Sequence, residues 1–244
     1  MDNPAEKVLI VSPHCDDACF SLGGSILKNM GENIVIWSVF TEQNYTILPE
    51  GEEAAKQRIL KEEYSFIKES RVFLIIEGLP DAYLREYKKL SDILLADFKL
   101  EELCETERNM FNRVVVGFEN ILKEVKPRYV GLPIGCGAHI DHLLVREAGM
   151  KVWRNSEKSI QIFFYEELPY SLNAKWRDDA LCKLIVENRN VTPYFLRIDE
   201  FVDKKYNLIN LYKSQIKERD SKKIIDYAKT LEPGGAYERI WVLE

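Results

Sequence analysis

Histidine is scarce in this chain. Its 244 residues contain 3, His14, His139 and His142, so any imidazole chemistry must come from two short segments. Long apolar runs are missing: stretches such as Val72-Phe73-Leu74-Ile75-Ile76 fall far below the roughly 18 residues needed to cross a bilayer. The start, Met1-Asp2-Asn3-Pro4-Ala5-Glu6, lacks the basic and apolar regions of a secretory signal. The 5 cysteines are odd in number, scattered and without a CxxC pair, which argues against a disulfide framework and for a reducing compartment. A cytoplasmic, soluble protein is expected. Basic charge is short as well, with 34 Lys+Arg against 40 Asp+Glu, so the footprint that displaces phosphate counterions is absent. The expected partner is a small molecule, with no nucleic acid and no membrane; a homo-oligomer stays open. No internal repeat, low-complexity tract or Pro/Ser-rich linker divides the chain, so a single domain over 1–244 is expected, with 171–244 the region that would cap a pocket.

What is present is an alternation of apolar runs and amphipathic stretches. Residues 7–12, 33–40 and 71–76 read as strands buried on both faces, and helical patterns over 19–29 and 52–69 separate them. Met30-Gly31 would stop the first helix. After a charged, leucine-rich stretch, a helix over 108–126 feeds a strand at 129–132, and another helix begins at 139–141. Residues 159–165 form a further strand, 181–199 read as strands around Pro193, 201–229 as one or two helices, and 240–243 as a last apolar stretch. Strands alternating with helices predict an α/β, Rossmann-like three-layer fold around a mostly parallel sheet. In such a sheet, ligands sit beyond the carboxyl ends of the strands, where both histidine segments fall.

Pro13-His14-Cys15-Asp16-Asp17-Ala18 follows the first strand. If this turn is helical, His14 and Asp17, three residues apart, approach one side, while Asp16 projects about 100° from Asp17. An imidazole and a carboxylate can then bind one ion with a second carboxylate beside it. His139-Ile140-Asp141-His142 brings two more imidazoles at another strand end. Three protein ligands and an open position make a catalytic metal site, in which bound water ionises near neutral pH. Plainer readings exist for each segment alone: an Asp pair after a strand often caps a helix, and two histidines can open a solvated helix. Their joint occurrence at two strand ends, in a chain with so few histidines, favours the metal.

These two segments resemble the PIG-L/LmbE-like zinc-dependent deacetylases, which carry (P/A)HxDD after the first strand and HxDH later. Leu22-Gly23-Gly24, Arg58 to Glu62, Gly78-Leu79-Pro80-Asp81 and Tyr165-Glu166-Glu167-Leu168-Pro169-Tyr170 add to the likeness. The resemblance implies that His14, Asp17 and His142 hold Zn2+, or another divalent metal such as Fe2+. It makes Asp16 the general base toward the activated water and His139, if protonated, the stabiliser of the oxyanion, with Asp141 a carboxylate that orients or charges an imidazole. Arg58 and Asp81 correspond to positions that hold sugar hydroxyls or attached groups.

The implied reaction removes an N-acetyl group from an N-acetylglucosamine-type sugar or conjugate. Hydrolysis of another N-acyl amide in antibiotic or cofactor biosynthesis, or non-catalytic sugar binding, are the alternatives. Many family members have Glu after the Asp pair where this chain has Ala18. A dinucleotide site is disfavoured, since GxGxxG is absent and two carboxylates fill the phosphate-binding turn.

Overall fold

The computed structural model describes residues 6–29, 33–85, 87, 89–156, 160–186 and 190–244. Apolar, β-branched runs form β1 (Val8–Ser12), β2 (Ile34–Ser38), β3 (Phe73–Ile76), β4 (Tyr129–Pro133) and β5 (Gln161–Tyr165), followed by β6 (Val191–Arg197) and β7 (Tyr237–Leu243). Between them lie α1 (Asp17–Lys28), α2 (Glu52–Ser70), α3 (Leu90–Ile93), α4 (Glu105–Val125), α5 (Ile140–Arg154), α6 (Ala174–Val186), α7 (Val202–Ile209) and α8 (Glu218–Ala228). The strands make one seven-stranded sheet in the order β3-β2-β1-β4-β5-β7-β6. The first five strands are parallel, and β7 is antiparallel to both its neighbours.

Side chains alternate along each strand, so the sheet has two apolar faces and needs a layer on each. Leu9, Val11, Val35 and Trp37 pack with Val114 and Phe118 of α4 and Leu144 and Ala148 of α5. Ile10, Ile34 and Ile36 pack with Phe20 and Ile26 of α1, Ile59 and Phe66 of α2, and Leu208 of α7. Full burial of each such side chain is worth about 1.5–3 kcal/mol relative to exposure, an upper estimate for folding.

The three-layer, mostly parallel fold agrees with the pattern in the sequence; the differences lie at boundaries. Helix α1 starts at Asp17 and β7 at Tyr237, both earlier than periodicity suggests. The stretch expected to be strand from 181 is the end of α6, whose Ala180 and Leu184, four apart, bury against the α4–α5 side. Reading from 181 cuts that helical period in two. Met30, Gly31 and Ser159 lie outside the described residues.

From β1 the chain winds outward to β2 and β3, and from β4 it winds the other way to β5. The crevice beyond the carboxyl ends of β1 and β4 is therefore the topological switch point.

Candidate metal centre

Three strand ends deliver the centre. The turn from β1 into α1 carries His14 and Asp16, and α1 opens on Asp17. Asp16 is the N-cap residue of α1 yet makes no side-chain cap bond; its carboxylate lines the cavity. Asp17 instead turns back to accept the His14 backbone N–H at 2.9 Å. After β4, the turn through Cys136–Ala138 places His139 at the N-cap of α5 and His142 in its first turn. Gly135 enters this turn with φ +89°, and a Cβ there would meet Arg146 Nη1 and Leu143 Cδ2 at 2.9 Å, so only glycine fits. After β5, buried Glu167 accepts the N–H groups of Gly135 and Cys136 at 2.6 and 3.3 Å.

The two histidines that face Asp17 are each held from behind by a carboxylate. Asp141 Oδ2 lies 3.0 Å from His14 Nε2, and Glu167 Oε1 lies 3.1 Å from His142 Nδ1. With those nitrogens donating, the neutral rings turn lone pairs toward one another: His14 Nδ1 is 3.2 Å from His142 Nε2. Asp17 Oδ2 is 3.4 Å from the first and 3.3 Å from the second. In that tautomer three acceptors meet, an arrangement that a cation relieves. The three donor atoms lie 3.2, 3.4 and 3.3 Å from one another, a spacing at which all three could hold one divalent ion. The donor set fits a divalent metal.

The electrostatics show that the buried carboxylates draw positive charge to this point, as a proton on an imidazole or as an ion in its place. Burial pulls the His14 and His142 imidazoles down, but hydrogen bonds and charge from Asp141 and Asp17 at His14, and from Asp17 and Glu167 at His142, outweigh it; His142 is pushed up to about 9. Asp17, despite burial, is held well below the usual carboxylate range by His142 and His14. Asp16 moves the other way, pushed up to about 7 by burial and by Asp17.

The His139 side chain has ligand atoms within 4.8 Å of those of His14 and His142, so a three-imidazole cluster is also present. Its Nδ1 accepts the Asp141 N–H at 3.2 Å, which leaves the Nε2–H to donate. Burial, helped by the two neighbouring imidazoles, drops its pKa well below the ordinary value, which favours the neutral ring. Asp141 is 4.0 Å from His139 Nδ1 and belongs chiefly to His14.

A model of the PIG-L family, described as GlcNAc-PI de-N-acetylase, matches residues 9–153. The chain belongs to the PIG-L family. No curated protein sequence gives a significant match. Among solved structures, teicoplanin deacetylase in a zinc-inhibited form is 19% identical, with 98% of each chain covered and a TM-score of 0.72. The N,N'-diacetylchitobiose deacetylase of Pyrococcus horikoshii is 16% identical, covering 98% of this chain and 84% of the other at 0.59. The 4-carboxy-2-hydroxymuconate hydratase of Pseudomonas putida is 13% identical, covering 98% and 95% at 0.61. At these identities the likeness is one of fold.

Around the candidate metal centre, this PIG-L family member has a buried support that the sequence motifs did not reveal. Arg85 donates to Asp141 Oδ1 at 2.5 Å, to both oxygens of Glu107 at 2.8 and 3.1 Å, and to the Pro80 carbonyl at 2.8 Å. Its charge, added to the imidazoles, holds Asp141 well below the usual carboxylate range despite burial. Asp141 Oδ2 also accepts the Ala82 N–H at 3.0 Å. The signal for Arg85 was its place just after Gly78-Leu79-Pro80-Asp81; for Glu167 it was the Glu pair that follows β5.

The two expected sugar contacts separate. Asp81 lines the cavity and accepts the Leu84 N–H at 3.0 Å through Oδ1; burial pushes it up to about 6. Arg58 is 46% exposed, pairs with Glu50 at 2.8 Å and is not among the residues lining the cavity. Cys15 and Cys136 are buried but outside the cluster: the Cys15 carbonyl accepts from Tyr212 at 3.1 Å, and Cys136 Sγ from Ser171 at 3.0 Å. Tyr165 is core, its hydroxyl on the Val11 carbonyl at 2.8 Å, whereas Tyr170 lines the cavity with Trp176 beside it. Among the described residues, no helix is long and apolar enough to cross a membrane.

Proposed function

We propose that this protein is a zinc-dependent N-deacetylase acting on an N-acetylglucosamine-type amino sugar or conjugate. The observation that carries the reading is the triangle of His14 Nδ1, Asp17 Oδ2 and His142 Nε2 with the uncapped Asp16 beside it. Membership of a family described as de-N-acetylases supports the reaction, and deacetylases of similar fold support the sugar. Two imidazoles and a carboxylate suit zinc, and Fe2+ accepts the same donors. The unpaired cysteines suit the cytoplasm.

A divalent ion held by His14, Asp17 and His142 would supply Lewis acidity to the attacking water and the amide carbonyl. Asp16, poised near neutrality, takes the proton from the attacking water and returns it to the departing amine, which is too basic to leave unprotonated. His139 donates from Nε2 to the carbonyl oxygen as charge develops there, and a neutral imidazole suffices for that. Asp141, steadied by Arg85, and Glu167 keep the two ligand imidazoles in the tautomer the ion requires. Asp81 offers its remaining oxygen to a sugar hydroxyl. Arg58 acts at one remove: it holds Glu50, which accepts from Thr46 at 3.2 Å beside the cavity-lining Tyr45. The region 171–244 closes the cavity through Gln215 and Ile216.

The test is acetate release from N-acetylglucosaminyl compounds with and without chelator. Asp16→Asn should lose at least about 100-fold in kcat and keep its metal; full activity in that variant would remove Asp16 as the base. Other N-acyl amides in the panel decide the bond cleaved.

A further inference from the structure

We infer that the sugar carries a neutral, ring-bearing substituent, received by a stacked tyrosine rim, and that conjugates with a phosphate or carboxylate on the sugar are poor substrates. This rests on the amino-sugar deacetylase reading. Tyr45 and Tyr83 stack with ring centroids 5.5 Å apart and planes 14° from parallel, and both line the cavity that contains His14, Asp16 and His139. Tyr45 is 48% exposed, whereas the metal centre beneath is buried or nearly so. A substrate with its acetamido group beside His14 and Asp16 and its far end at the exposed side of the same cavity meets this rim, where a flat apolar ring gains most from stacking.

The rim is set before substrate arrives. Gln215 Nε2 donates to the Tyr45 carbonyl at 3.0 Å, and the Ile47 N–H donates to the Ser214 carbonyl at 2.8 Å. Ser214 in turn donates its N–H and hydroxyl to buried Glu62 at 3.1 and 2.5 Å. A preordered wall loses little freedom on binding.

Charge on the wall gives the second half of the inference. Asp16, Asp17 and Asp81 line the cavity, and among the described residues no lysine or arginine does. Arg58 is committed to Glu50, and Arg85 to Glu107 and Asp141. A phosphate beside the sugar would face Asp81 without a guanidinium or ammonium to receive it.

The metal-loaded protein would be assayed for acetate release from the phenyl glycoside, the methyl glycoside and the 1-phosphate of N-acetylglucosamine. The expected order in kcat/KM is phenyl at least tenfold above methyl, and the phosphate at least tenfold below it. Tyr45→Ala should raise KM for the phenyl glycoside about tenfold and close the phenyl–methyl gap, and Tyr45→Trp should restore it. Turnover of the phosphate equal to or above methyl, or a phenyl–methyl ratio unmoved by Tyr45→Ala, would overturn the inference and leave the deacetylase reading standing. If none of the three releases acetate, that reading fails, and calorimetric titration with phenyl glucosaminide and glucosamine 1-phosphate decides the rim separately. A phenyl preference lost in Tyr45→Ala upholds it, and equal or absent binding sinks it.

Discussion

The Tyr212 hydroxyl is hydrogen-bonded both to Glu63 Oε2 and, at 3.1 Å, to the carbonyl of Cys15, between His14 and Asp17. A phenol has one proton, so an ionised Glu63 would leave one of the two contacts without a donor. A protonated Glu63 completes the set: it donates to Tyr212, Tyr212 to Cys15, and Ser38 to Glu63 Oε1 at 3.0 Å. Burial, opposed by these hydrogen bonds, pushes Glu63 up to about 8, in accord with the proton count.

Because its folded pKa lies above the unfolded value near 4.3, Glu63 favours the fold most at low pH. That contribution is lost as pH rises through about 8. Glu63→Gln keeps a neutral donor and removes the slope. Urea unfolding of the chelated proteins should give a variant that gains on the parent by a few kcal/mol between about pH 5 and pH 8.5; parallel pH curves would mean that Glu63 is ionised in the fold.

The Tyr212→Phe variant should fold but release the Cys15 carbonyl, loosening the segment between His14 and Asp17. The expected result is a loss of about 1 kcal/mol in unfolding free energy and weaker metal retention in competition with a chelator. Unchanged metal affinity would reduce Tyr212 to a packing residue.

Metal content separates the mixed triangle from the three-imidazole cluster. His14→Ala, His142→Ala and Asp17→Asn should each come off a desalting column without stoichiometric metal, whereas His139→Ala should retain it. Removing metal should also lower stability: at 1,000 times Kd a bound ion contributes about 4 kcal/mol. A metal-free His139→Ala with a loaded Asp17→Asn would reverse the ligand assignment.

Glu167→Gln and Asp141→Asn leave all three ligands in place but remove the carboxylates behind them. Each should cost about 10- to 100-fold in metal affinity, read by titration against a fluorescent zinc chelator.

Arg85→Met tests the support of Asp141. It strands two buried carboxylates, Asp141 and Glu107, and should destabilise by about 3–5 kcal/mol. Arg85→Met with Glu107→Gln should recover part of that loss, since one of the stranded charges is gone. A double variant no more stable than the single would assign the effect to lost packing.

Local patterns determined much of this protein from the sequence alone: the alternation of strands and helices, and the placing of all three histidines at strand ends. Those features rest on period and spacing along the chain. Tertiary structure decided which groups became partners. Asp141, expected to serve an imidazole, reaches His14 from 127 residues away and stands farther from its neighbour His139. Glu167 arrives from β5, Arg85 from the turn after β3 and Tyr212 from beyond α7, while Arg58 pairs with Glu50 at the surface. No spacing rule encodes these meetings, because they are set by the order in which parallel strands are laid beside one another and by the need of each buried charge or N–H for a partner.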